Sequence, residues 1–178
     1  MVDPATTQRW GYRLLFVALA ALLLFLRLLP LDAMPATLPG PDLLLCLAFA
    51  WVQRRPDIVT PLLLGALLFL SDMLLGRAPG LWATLALLTA EFLRSRHQGS
   101  AEMPFAVELA FVSGAVIALA VTYWAALGIF AIPHPGLDEL LMQAVFTLMA
   151  YPVVVGLSRM AFNIRRLSPG EAETGALR

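Results

Sequence analysis

Apolar residues in this chain neither alternate with polar ones nor recur as a stripe. They run together into six stretches set apart by short breaks rich in proline, glycine and arginine. The stretches are Leu14–Leu29, Leu43–Val52, Ile58–Leu75, Leu81–Leu93, Phe105–Ile132 and Leu137–Phe162. A segment that is apolar all round has no face to offer water and belongs either inside a large core or in lipid. Composition decides between the two. Of 178 residues 60% are hydrophobic and 13% charged, against about 45–50% and about 25% in soluble domains. In lipid each backbone group must be satisfied within its own segment, which selects helices. The expected fold is therefore all-α: a polytopic membrane protein built as a bundle of six transmembrane helices. Residues 1–166 form the single domain and 167–178 a flexible cytoplasmic tail.

Two segments are short for this role. The second offers about ten to twelve apolar residues, which reach only about 18 Å at 1.5 Å each, whereas a spanning helix needs roughly 17–25. The arginines arbitrate, since all twelve basic residues are arginine. If six segments cross, Arg9, Arg13, Arg54, Arg55, Arg94, Arg96, Arg159, Arg165, Arg166 and Arg178 share one side, leaving only Arg27 and Arg77 near the other. If the second segment fails to cross, that bias largely vanishes, against the positive-inside rule. Six crossings with both termini cytoplasmic is the better expectation. The first segment lacks a good small-residue cleavage site, because Pro35 interrupts Ala33-Met34-Pro35-Ala36, so it reads as a retained helix.

Charged groups inside a membrane are costly and point to function. Arg27, at the outer end of the first segment, and Asp72, at the outer end of the third, count to the same depth. They are expected to form an ion pair, with separate snorkelling to headgroups or direct handling of a substrate or proton as the alternatives. Glu91 and Glu108 fall near Arg94 and Arg96 and read as interfacial salt bridges. His97 and His134 lie on opposite faces and cannot share a metal. Cys46, the lone cysteine, reads as packing. No nucleophile elbow, zinc helix or phosphate loop is present, so no enzyme activity, cofactor, metal or nucleic-acid partner is expected. In the fifth segment Ala106, Ala110, Gly114, Ala118, Thr122 and Ala126 recur every fourth position. Small residues at this spacing let helices approach closely, either within the chain or against a partner's transmembrane helix.

The stretch from Pro39 to Arg94 carries Trp51 and Pro56, then Gly65 and Asp72, then the turn Gly76-Arg77-Ala78-Pro79-Gly80-Leu81. This spaced Gly, Asp and Gly-x-x-x-Gly-Leu leading into another helix resembles the central signature of the MreD family of rod-shape-determining proteins. It covers about a third of the chain. The resemblance implies a non-enzymatic, multi-pass subunit of the bacterial inner membrane. Such a subunit works beside the bitopic protein MreC, the actin-like MreB filament, and the RodA glycosyltransferase with its transpeptidase, with membrane lipid around it. Family members are similar in hydropathy to the substrate-binding subunits of energy-coupling-factor vitamin transporters, which gives the alternative function. The outer loops are poor in hydrogen-bonding side chains, which favours the scaffold over the ligand binder.

Overall fold

The computed structural model describes residues 4–29, 39–97, 104–132 and 136–162. Among them are six helices and no strand: α1 Pro4–Leu28, α2 Leu43–Arg54, α3 Pro61–Leu74, α4 Leu81–His97, α5 Phe105–Ile129 and α6 Leu137–Phe162. Three are long and apolar enough to cross a membrane, over Arg9–Leu28, Phe105–Ile129 and Leu137–Met160. The chain is accordingly an all-helical membrane protein. The expected tail, and the loops around Ala36 and His134, lie outside the described residues.

Local chemistry sets the helix ends. Asp42 caps α2 by accepting the Leu45 amide at 3.2 Å, and Arg55-Pro56 ends it, since proline cannot continue a helix. Pro61 opens α3 at a position where the missing N–H costs nothing. That start lies three residues later than the apolar run suggested, because Ile58 and Val59 bond back to the Arg55 carbonyl in a turn.

The helices form a ring in the order α1, α3, α4, α5, α6, α2, with α2 also touching α4 across it. α2 has 12 residues, and every one from Leu44 to Arg54 is buried. Trp51 is its anchor: the indole packs against Phe16 of α1, tilted by 42° with ring centres 5.3 Å apart, and donates to Ser158 of α6 at 3.3 Å. α3 and α4 make a tight hairpin, and a Cβ at Gly65 would sit 3.3 Å from Leu87.

The two ends of the bundle differ. Arg9, Arg13, Arg54, Arg55, Arg94, Arg96 and Arg159 gather at one end, called here the Arg54 end, and Arg27 and Arg77 mark the opposite, Asp42 end. α2 runs beside only the second half of α6, because the Asp42 amide meets Thr147 Oγ1 at 2.9 Å. Thr147 lies ten residues into α6, about 15 Å from its start at 1.5 Å per residue. The short segment has thus not extended into its flanks; it is sheltered by longer neighbours.

The small-residue stripe of α5 is not used for packing within the chain. Gly114, Ala118 and Thr122 line an open groove of about 330 Å³ against Leu85, Leu88 and Phe92 of α4. A Cβ at Gly114 would meet nothing within 4 Å.

Candidate functional site

The residues of the α3–α4 signature fold into one interlocked unit. Gly76 adopts φ +63° just beyond α3, and the Arg77 amide returns to the Asp72 carbonyl at 3.1 Å. This is the left-handed Schellman ending that glycine allows at no steric cost. Ala78-Pro79-Gly80-Leu81 then turns the chain. Proline sits second, Gly80 third with φ +80°, and the Leu81 amide bonds to the Ala78 carbonyl at 3.2 Å, the type II pattern. Gly80 precedes α4 but has no side chain to cap it. Asp72 supplies the cap from the preceding helix, its Oδ2 accepting the amides of Gly80 and Ala83, each at 3.0 Å. A carboxylate here satisfies two orphan donors and faces the positive end of the α4 dipole. Asp72 is fully buried in the process.

This geometry corrects the expected pairing of Arg27 with Asp72. Asp72 is committed to α4, and Arg27 instead meets Asp42 at 3.4 Å. The depth count placed both charges at the right end of their helices but could not choose between two carboxylates. Asp42 is the residue that the sequence reading missed, although an aspartate directly before an apolar run is the usual capping signal. Its Oδ2 also accepts Arg77 at 3.2 Å, and its backbone N–H donates to Thr147. One residue thereby joins α1, α2, α6 and the α3–α4 turn. Arg77 lies over the Trp82 ring at 4.8 Å, and Trp82 meets Tyr123 of α5 edge-on at 5.0 Å. The contact series from α1 to α5 is continuous.

A second polar cluster lies at the Arg54 end. Arg54 and Glu108 pair at 2.9 Å with both side chains fully buried, and a second guanidinium nitrogen donates to the carboxylate at 3.1 Å. Tyr151 donates to Glu108 at 2.6 Å, Gln53 donates to Tyr151 at 3.5 Å, and Arg54 also reaches the Ala50 carbonyl at 3.1 Å. Glu108 is therefore not in an interfacial bridge with Arg94 or Arg96; it locks α5 to α2 and α6 from inside. Glu91 does pair with Arg94, at 3.1 Å. Arg94 and Arg13 each donate to the turn after α2, to the carbonyls of Val59 and Asp57. Pro56 lies in that turn, and Arg55 covers the Tyr12 ring at 5.2 Å.

No family model, curated protein or solved structure matches this chain. The chemistry of the two clusters carries the functional reading. Asp42, Asp72, Glu91 and Glu108 are each engaged by a guanidinium or by backbone amides. Among the described residues no group of three or more His, Cys, Asp or Glu converges. Asp42, Asp72 and Glu108 hold elements to one another, while Glu91 pairs with Arg94 within α4.

Proposed function

We propose that this chain is a non-enzymatic scaffold subunit of the bacterial cell-elongation machinery. It crosses the inner membrane six times with both termini in the cytoplasm and the Asp42 end facing outward. The observation that carries the reading is the Asp72–Gly76–Gly80 unit. From Gly65 to Leu81, the residues behind the resemblance to the MreD family form a single capped hairpin, so this part of the signature serves shape rather than chemistry. The exposed Gly114 groove supports the same reading, as a surface where a partner's transmembrane helix can approach closely. The arginine distribution between the two ends supports the orientation. Expected partners are an MreC-like bitopic protein, an MreB-like filament and a RodA-type glycosyltransferase with its transpeptidase.

One observation favours the alternative, the substrate-binding subunit of a vitamin transporter. The Asp42 end holds a cavity of about 540 Å³, within the roughly 300–1,000 Å³ of small-molecule sites. Depletion in the native rod-shaped bacterium separates the two. The scaffold reading expects rounded cells, unchanged vitamin uptake and co-purification with a tagged MreC-like protein. Normal rods with impaired uptake of one vitamin would overturn it.

A further inference from the structure

The cavity at the Asp42 end lies between α1, the start of α2 and α3. Leu23, Leu26 and Leu75 make up part of its apolar wall, and Arg27, Asp42 and Ser71 are its polar side chains. From this we infer that it binds a phospholipid, with the phosphodiester on Arg27 and the upper part of an acyl chain among the leucines. The inference does not rest on the elongation reading.

Three observations carry it. The first is an imbalance of hydrogen bonding. Arg27 has five N–H donors, and its ionic contact is one carboxylate oxygen at 3.4 Å. That same oxygen takes Arg77 at 3.2 Å, while Oδ1 is occupied in capping α2. Asp72 faces Arg77 electrostatically but accepts no hydrogen bond from Arg27, its Oδ2 being held by the α4 amides. One carboxylate thus serves two guanidiniums, and Arg27 is left with its side chain 33% exposed beside the cavity. A planar guanidinium fork matches the oxygens of a phosphate and can hold two at once.

The second is depth. Asp42 sits beside Thr147, about 15 Å along α6 from its outer end. An arginine held at that level draws polar groups down to it, as charges in a bilayer do when headgroups and water follow them and the leaflet thins. The third is the character of the wall. A small soluble anion would reach Arg27 only by leaving water for a mostly leucine surface, whereas a phospholipid brings the anion and the hydrocarbon together.

The test uses the full chain purified in detergent and native mass spectrometry. The probes are phosphatidylglycerol, a diacylglycerol with the same acyl chains, and inorganic phosphate. The wild type should retain one phosphatidylglycerol and no diacylglycerol, and phosphate alone should not bind. Arg27→Gln should lower retention by about tenfold or more, as loss of a charge-assisted bond does. Leu26→Trp keeps the charge and fills the cavity from a position already half exposed. It should lower retention as much with no change in thermal stability, and it decides the matter if Arg27→Gln folds poorly. Undiminished retention in Leu26→Trp, equal retention of diacylglycerol, or binding of phosphate alone would each overturn the proposal.

Discussion

Replacing Glu108 with leucine tests the lock at the Arg54 end. The change removes a carboxylate that meets two guanidinium nitrogens, at 2.9 and 3.1 Å, and the Tyr151 hydroxyl at 2.6 Å. Arg54 is then left fully buried with the Ala50 carbonyl at 3.1 Å and no counter-charge. Breaking one side of a buried pair costs about 3–5 kcal/mol. Polar contacts in membrane proteins fall at the lower end of such ranges, because the unfolded state in lipid also finds partners. About 3 kcal/mol is therefore expected here. Removing both charges, Arg54→Met with Glu108→Leu, leaves Tyr151 and Gln53 to satisfy each other and should cost under about 1 kcal/mol. The double variant should thus be more stable than the single one, with a coupling of about 2 kcal/mol or more. Reversible unfolding in mixed micelles, followed by tryptophan fluorescence, measures all four corners of the cycle. A cost below 1 kcal/mol for Glu108→Leu, or simple addition of the two single losses, would refute the buried lock.

Asp72→Ala should destabilise by about 1–2 kcal/mol, as loss of a helix cap does. Asp72→Asn keeps an acceptor and should lose only the dipole part, about 0.3–1 kcal/mol. Combined with Arg27→Gln, Asp72→Asn should be additive to within about 0.5 kcal/mol in the same unfolding assay, because the two residues do not pair. Gly114→Leu should leave the isolated chain's melting unchanged and abolish co-purification of a transmembrane partner, since the added side chain meets only open groove. Cysteine at Phe130, beyond the end of α5, should react from outside intact spheroplasts with a membrane-impermeant maleimide. One at exposed Ser95 should not, and native Cys46 is buried and silent. Labelling of Ser95 from outside would sink the six-pass topology.

The extent of each apolar run was legible because the bilayer demands length and uniform hydrophobicity, and both are local properties of sequence. Helix starts were less so. α1 begins at Pro4, ten residues before the first apolar run, where polar residues continue a helix that hydropathy cannot see. The site was half legible. Gly76, Pro79 and Gly80 announce their turn from residue type alone, and Asp72 stands out as a carboxylate among leucines. Its partner did not, since capping a helix from the one before it exists only once the hairpin has closed. Arg54 and Glu108 are 54 positions apart, and nothing local links them. Each stood near another charge in sequence, so the nearer pairing was the natural expectation for Glu108 and the wrong one.

The shelter around α2 has a consequence for how the chain is made. α2 emerges from the ribosome after α1 but before α4 and α6, the neighbours that surround it along with α1. Until they are made, its 12 residues lack those partners, with Arg54 at one end and Asp42 just before the other. An uncompensated arginine costs about 2.5–3.5 kcal/mol at a helix centre on insertion scales and less near a helix end, and a segment this short cannot hold its ends at both surfaces. Glu108, which neutralises Arg54, and Thr147, which receives the Asp42 amide, belong to α5 and α6, both made after α2. The contacts that seat α2 against α5 and α6 can therefore form only after both of those helices have been made.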